Sequence, residues 1–402
     1  MVKKILVTDN QKIYPPDSGA PIRIFNMFKN LSKEYQTTYL GVTAYDNFLQ
    51  HEKQLTQNLK EKVIKIGKPI LLFNTALTLK TKGVHTFDVV ISIYEYFNKK
   101  FRKKLNKEAQ NAEILIATHP WFFPHIKKYK NKTLIYDSHN CEYLLRKDEL
   151  KKTVTGKIML KIIKHLEKTA CKKSDIVIAC SEDNKESFKK LYKIKDEKIH
   201  VLPNSIDDEK IKPATKKERE KAKQELGLKG KKTIIFIGTY YEPNNEALDF
   251  IINKLTKLKE YTFLIAGNLD IHYKKKYHNT HIENLKFYGK LDWKKLTQLY
   301  KASDIAINPM FSGSGINIKM LDYMAAGIPS ISTPIGARGI KEAKNNKHMI
   351  ICDVKNFEEE IKKLMQDEEK KEKFRVKSRK VIEKNYSYKK ISKKFENMLS
   401  SI

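Results

Sequence analysis

Phe311-Ser-Gly-Ser-Gly-Ile-Asn-Ile-Lys-Met-Leu-Asp-Tyr-Met-Ala-Ala-Gly-Ile-Pro329 decides how this chain reads. Two strand-like runs bracket it, Asp304-Ile-Ala-Ile-Asn308 before and Ile328-Pro-Ser-Ile-Ser-Thr333 after. Strand, glycine-rich turn, helix and strand in that order build a parallel α/β sheet. The helix is expected to begin near Ile316, which leaves free backbone N–H groups at Gly315 and Ile316, the kind of end where anions bind. Lys319 falls in its first turn, and Asp322 follows three residues later on the same face. This spacing allows a diphosphate on Lys319 and the turn from Ser314 to Asn317, with a sugar hydroxyl on Asp322. It also fits an ordinary helix start, with Lys319 in solvent and Ala325-Ala-Gly327 serving as close packing and a C-terminal stop.

Outward from this segment, short apolar runs alternate with longer helical patterns along all 402 residues, the mark of α/β architecture with parallel sheets. Strand candidates in the first half include Lys4–Thr8, Thr37–Val42, Val63–Ile66, Asp88–Ile93, Glu113–Thr118, Thr133–Tyr136 and Asp175–Cys180. The second half offers Thr233–Gly238, Tyr261–Ala266, Leu285–Tyr288, Asp304–Asn308 and Pro329–Thr333. The length suits two domains. Residues 1–205 form the first, and 233–384 the second. Residues 206–232, with Pro213 and the charged helix Lys216–Leu226, are the expected interdomain connection. Residues 385–402 carry a last helix after a break at Asn385-Tyr-Ser387.

Composition narrows the classes. Hydrophobic content is 40% and no apolar run approaches a membrane span. The start, Met1-Val-Lys-Lys-Ile-Leu-Val-Thr-Asp9, reads as a first strand rather than a signal peptide. Four cysteines without metal or scaffold spacing point to reduced thiols and a cytoplasmic chain. The net charge of +33 is spread over both halves, and only seven of the 80 basic residues are Arg. Scarce arginine and the lack of a recognition module argue against nucleic acid as a partner. The densest patch, Lys99-Lys-Phe-Arg-Lys-Lys-Leu-Asn-Lys107, reads either as an amphipathic basic helix resting on an anionic membrane surface or as a solvated face.

The quoted stretch resembles the donor-site signature of the retaining glycosyltransferases of the GT-B fold, the large group called family 4. Its ending, Met324-Ala-Ala-Gly-Ile-Pro329, and the following Thr333-Pro-Ile-Gly-Ala-Arg-Gly339 match that group. The resemblance implies two Rossmann-like domains facing a cleft, with the C-terminal helix crossing back onto the first. It also implies transfer of a sugar, with retention, from a nucleoside diphosphate sugar to a glycan or lipid-linked acceptor. No cofactor and no metal are implied. Two departures stand out: the family's ribose-binding glutamate is the shorter Asp322, and Ser314 replaces the first glutamate of the pair. A sugar-nucleotide epimerase of related fold is the alternative activity.

Ligands of open parallel sheets gather at the carboxyl ends of strands, and the other candidates lie there. After the first strand, Pro15-Pro-Asp-Ser-Gly-Ala-Pro-Ile-Arg23 offers Gly19 for close backbone approach and Arg23 for the same anion, or a plain helix start. His119, in His119-Pro-Trp-Phe-Phe-Pro124, ends a strand where the family places a functional histidine; Trp121, Phe122 and Phe123 fit an acceptor wall or the core. Asp137-Ser-His-Asn140 resembles a recurrent turn of the group, and Asn204 matches its Pro-Asn-Gly turn with Ser205 in place of Gly. Ser181 reads as a helix N-cap. Gly238 and Thr239 can add donors to the diphosphate, whereas the Arg and Lys common in that loop are absent, with Tyr240, Tyr241 and Asn244 instead. His119, Lys319 and Asp322 are thus the candidate catalytic groups. Gly19, Arg23, Asn204, Gly238, Thr239, Ser314, Gly315, Ile316 and Asn317 are the candidate donor contacts. No Asp-x-Asp pair, Walker loop or complete dinucleotide fingerprint occurs.

Overall fold

The structure is a computed structural model that describes residues 2–16, 19–43, 51–65, 69–81, 84, 86–94, 98–278, 280–313 and 316–402. The chain divides into two compact units, one of residues 1–205 with 388–402 and the other of residues 206–387.

In the first unit the strands are β1 (Lys3–Asp9), β2 (Tyr35–Thr43), β3 (His51–Thr56), β4 (Leu59–Lys65), β5 (Ile114–Ala117), β6 (Thr133–Ser138), β7 (Ile176–Ala179) and β8 (Ile199–Val201). They form one sheet in the order β3-β4-β2-β1-β5-β6-β7-β8, parallel except for the β3–β4 hairpin at one edge. The strand order reverses direction between β1 and β5, so the crevice at their carboxyl ends is the topological switch point. Residues 5–9 of β1 are buried without interruption, as a central parallel strand covered on both faces requires.

Helices α1 (Gly19–Phe28), α2 (Pro69–Lys80), α3 (Phe87–Tyr94), α4 (Lys99–Gln110), α5 (Phe123–Ile126), α6 (Glu142–Leu150), α7 (Val154–Lys173) and α8 (Glu182–Tyr192) complete the first part of the chain. One face of the sheet packs on a core that includes Ile70, Val90, Phe101, Phe123, Ile163 and Phe188, contributed by α2, α3, α4, α5, α7 and α8. The other packs on Ile24, Phe28, Phe395 and Leu399. The last two belong to the C-terminal helix Tyr388–Ser400, which lies on α1 with Phe28 and Phe395 edge to face at 5.2 Å. Residues 88–93, expected as a strand, are helical. An unbroken apolar run carries no period to distinguish the two, and here its packing on α2 and α7 settles the matter.

The second unit opens with α9 (Lys216–Glu225), held by a capping box between Thr215 and Glu218. Its strands are β9 (Lys232–Ile237), β10 (Tyr261–Ala266), β11 (Leu285–Gly289), β12 (Ile305–Asn308), β13 (Ser330–Ser332) and β14 (Ile350–Ile351). They form an all-parallel sheet in the order β11-β10-β9-β12-β13-β14. Its helices continue as α10 (Glu242–Lys254), α11 (Asp270–Tyr277), α12 (Trp293–Lys301), α13 (Ile318–Ala325), α14 (Pro334–Ala337), α15 (Phe357–Gln366) and α16 (Glu368–Asn385), so the C-terminal helix of the first unit is α17. Residues 206–232, expected as a connection, are integral to this unit: Ile206, Ile211, Ala222 and Leu228 are buried in its core with Met320 and Met324. The order reverses between β9 and β12, which places the turns after those two strands at the second switch point.

Candidate active site

In the second unit the switch point brings two loops to one lysine. β9 ends at Ile237, whose N–H donates to the Tyr323 hydroxyl of α13 at 2.9 Å, fixing strand end to helix. Gly238 follows and is buried, and its position leaves no room for a side chain: a Cβ there would lie 3.0 Å from Asn244 and from Leu269. Gly267, at φ +93°, is the reciprocal requirement, because a Cβ on it would stand 2.0 Å from the Gly238 carbonyl oxygen. Thr239 is exposed, and its carbonyl accepts from Asn244 Nδ2 at 3.0 Å.

α13 begins at Ile318, two residues later than expected, because Asn317 keeps an extended backbone at φ −74°, ψ 98°. The Asn317 side chain donates to the Gly336 carbonyl at 3.2 Å and does not cap the helix, whose N-terminus therefore has no side-chain cap. Lys319 sits in that first turn. Its Nζ donates to Asn244 Oδ1 at 2.7 Å and lies 4.3 Å from the centre of the Phe236 ring. No carboxylate pairs with it among the described residues, and burial lowers its pKa to about 7. Asp322 accepts from the Tyr300 hydroxyl at 3.1 Å, and burial raises its carboxyl to about 7 against the pull of that bond. Ile316 is buried and packs under Gly339. Ser314 and Gly315 lie outside the described residues. Sequence reasoning passed over Arg338, whose guanidinium donates to the Gly313 carbonyl at 2.7 Å and places a second cation at this loop. Its place in the Thr333–Gly339 segment was the available signal.

In the first unit the strand ends carry a chain of titratable groups. Register aligns Thr8 with Ala117 and Ala117 with Tyr136, so Asp9, His119 and Asp137 emerge on neighbouring strands. Asp9, fully buried, meets His119 Nδ1 at 2.8 Å. The rings of His119 and His139 are 4.4 Å apart. His139 Nε2 is 3.5 Å from Asp137 Oδ2, too long for a hydrogen bond. Asp137 Oδ1 accepts from Arg23 Nη2 at 2.6 Å. Burial by itself would lower the His119 pKa, but the Asp9 charge and hydrogen bond outweigh it and lift it to about 9. His139 goes the other way: burial, then the charge of His119, draw it down to about 4. One ring is an imidazolium at neutral pH and the other is not. Asp9, which holds His119 in that state, was missed because an aspartate closing a strand has no local signature.

Arg23 is not available to an anion. It is 2% exposed, paired with Asp137, and donates from Nη1 to the Leu202 carbonyl at 2.9 Å and to Asn204 Oδ1 at 3.2 Å. Arg23 and Asn204 therefore tie α1 to the ends of β6 and β8. Gly19 is exposed at the start of α1, and Ser181 caps α8 through Asn184 N–H.

Beside His119 lies a pocket of about 330 Å³ within this unit, lined in part by Asn10, Asp88, Trp121, Asn140, Glu142 and Arg146. Arg146 Nη2 donates to Asp88 at 2.5 Å and its Nε to Glu142 at 3.4 Å, while Asn10 Nδ2 donates to Asp88 at 2.6 Å. The buried Glu167 accepts from the backbone N–H groups of Glu142 and Tyr143 at 2.6 and 3.2 Å, standing in for the missing cap of α6. Trp121 lines the pocket, whereas Phe122 and Phe123 are core.

Two family profiles match the chain. The one described as "Glycosyl transferases group 1" covers residues 231–367, and the one described as "Glycosyltransferase Family 4" covers residues 79–210. Together they take in more than half of the sequence. An uncharacterized glycosyltransferase of Methanocaldococcus jannaschii is 25% identical over 284 residues, 68% of this chain and 70% of that one. The fold is similar to sucrose-phosphate synthase from Thermosynechococcus elongatus, with a TM-score of 0.77 at 12% identity over 99% of this chain and 98% of the other. It is also similar to HepE of Anabaena, solved with UDP and glucose, with a TM-score of 0.71 at 14% identity over 100% of both chains. At such identities these two likenesses speak for the fold. With both profiles in chain order on two parallel α/β units, the chain belongs to the GT-B glycosyltransferases of family 4, the glycosyl transferases group 1.

Proposed function

We propose that the protein moves a sugar from a nucleoside diphosphate sugar, held by the second unit, to an acceptor hydroxyl, with retention and without a metal ion. The observation that carries this reading is Lys319: a half-buried ammonium at an uncapped helix N-terminus, with an amide oxygen and a ring face for company and no carboxylate partner among the described residues. A site built this way lowers its free energy when a diphosphate arrives. The Arg and Lys common in the turn after β9 are absent here, and Lys319 brings a charge to that turn's Asn244 from the other loop.

As the bond to the anomeric carbon breaks, charge grows on the departing diphosphate. Lys319 and the α13 amides are aimed at it, and a preorganised donor of this kind is worth roughly 2–4 kcal/mol of barrier. Arg338 at the Gly313 carbonyl adds to the field. These charges neutralise the diphosphate, which is the ground for proposing metal independence. Asp322 accepts from a ribose hydroxyl. His119, held as an imidazolium by Asp9, donates to a sugar oxygen or to developing negative charge and is the wrong protonation state for a general base. The acceptor enters the pocket at Asp88, Glu142 and Arg146, whose two carboxylates and guanidinium suit a polyhydroxylic ligand. HepE, of similar fold, was solved with UDP-glucose, so a UDP-hexose is the first donor to test. A thermal-shift panel of UDP, GDP, ADP and CMP tests the reading. Stabilisation by one diphosphate, abolished in Lys319→Ala, is the expected result; no shift with any of them overturns it.

A further inference from the structure

Helix α2 exposes what a helix ordinarily buries. Ile70 is in the core, with Leu71 and Leu77 packed against it, but Leu72 is 75% exposed, Phe73 58% and Leu79 75%. With the exposed Ala76 these residues form one continuous stripe at helical spacing. α2 has no acidic residue and ends on Lys80. It packs on α7, which opens outward with Val154 and Ile158, 76% and 56% exposed. Along the same helix Lys157, Lys161, Lys164 and Lys168 are all exposed, while Lys151, just before it, is paired with the exposed Asp148 at 2.7 Å. The single acid of α7, Glu167, is wholly buried. Neither helix therefore presents a carboxylate outward.

Helix α4, which carries the densest lysine run, is different. Its apolar residues Phe101, Leu105 and Ala109 are buried, so it has a basic face but nothing to insert. Glu52 and Glu108 also meet its Lys104. The apolar anchor that this run lacks is on α2.

An apolar stripe beside a helix whose own outward charges are all basic selects its partner. A second copy docking the same face would set lysine against lysine across a two-fold axis. An anionic bilayer accepts both parts, the side chains at the acyl boundary and the ammonium groups among the phosphates. We propose that the α2–α7 face docks on an anionic phospholipid surface through Leu72, Phe73 and Leu79, steadied by the lysines of α7. The inference is independent of the donor chemistry, since no proposed donor contact lies on these helices.

Co-sedimentation of the full chain with phosphatidylcholine vesicles, with and without phosphatidylglycerol, tests it. Binding is expected only where phosphatidylglycerol is present. It should fall by about tenfold or more in the triple variant Leu72→Ser, Phe73→Ser, Leu79→Ser, and by about fivefold for each of Lys157→Gln and Lys161→Gln. Phe73→Trp provides a second readout that does not depend on the triple variant folding: its emission beyond that of the native Trp121 and Trp293 in wild type should shift to the blue on the vesicles and be quenched by brominated acyl chains. Failure to bind either vesicle, equal binding by the triple variant, or unchanged tryptophan emission would overturn the proposal. A wild-type dimer that the triple variant disperses would instead assign the stripe to a second copy and overturn it too.

Discussion

Replacing Lys319 by methionine is expected to make the ligand-free protein more stable and, at the same time, blind to nucleoside diphosphates. Burial draws the ammonium from 10.5 down to about 7, which corresponds to roughly 5 kcal/mol at about 1.4 kcal/mol per pH unit. Methionine removes that cost. It also forfeits the hydrogen bond to Asn244 and the contact with the Phe236 ring, each worth about 1 kcal/mol. Water reaching a half-buried side chain screens part of the remainder, leaving a net gain of about 2 kcal/mol. For a unit of this size that is a rise of roughly 4–8 °C in Tm. The pH dependence has a definite sign. Between pH 7 and 10.5 the unfolded lysine holds its proton while the folded one has lost it. Wild-type stability therefore climbs through that range. The advantage of methionine is largest below pH 7 and fades as the pH approaches 10.5. Thermal unfolding at pH 6 and pH 9, with and without the preferred diphosphate, measures both effects. A variant less stable than wild type at pH 6, or one that keeps its diphosphate shift, would show that Lys319 is not an ion held in waiting.

Other consequences can be checked separately. Asp9→Asn removes the charge that keeps His119 near 9, so the imidazole should titrate below its ordinary 6.5 in a proton NMR titration. A raised histidine pKa stabilises the fold below 6.5 and loses that contribution as pH rises through 9, so the stability gap between wild type and Asp9→Asn should be widest in acid. Arg23→Met leaves Asp137 buried and unpaired, for a loss of about 3–5 kcal/mol in urea unfolding. The double variant with Asp137→Asn should recover much of it, and a loss under about 1 kcal/mol would contradict the interior role given to Arg23. Gly267→Ala meets both a φ of +93° and a carbonyl oxygen 2.0 Å from its Cβ, and should cost about 3 kcal/mol with weakened diphosphate binding. An unchanged Tm in that variant would mean that the Gly238 turn gives way easily.

The lysine of the second unit also explains how this chain departs from its family's usual residues without losing the charge. The turn after β9 lacks the Arg and Lys common in that loop of the family and has Tyr240, Tyr241 and Asn244 instead. Lys319, from α13, reaches Asn244 in their stead. A cation delivered from a helix N-terminus comes with the amides of that helix, and both favour an anion there. Asp322 follows three residues later and is braced by Tyr300, so its position depends on α12 as well as on its own helix.

Whatever depends on local pattern was legible in the amino-acid order. Alternating apolar runs and helical periods set out two α/β units, because strand and helix periodicities are properties of ten or so neighbouring residues. The glycine turn at 311–317 announced a break between β12 and α13, and Ser181 announced a cap, for the same reason. His119 at the end of β5 was visible from its place in the chain. The tertiary structure decided which distant groups meet. Lys319 finds Asn244 across 75 positions, Asp9 finds His119 across 110, and Arg23 is consumed by Asp137 across 114. It decided that residues 88–93 are helical and that 206–232 belong to the second core. It also buried the apolar face of α4 while leaving Leu72, Phe73 and Leu79 of α2 outside. Burial and charge pairing act through space, and a linear sequence records only which residues are present to be brought together.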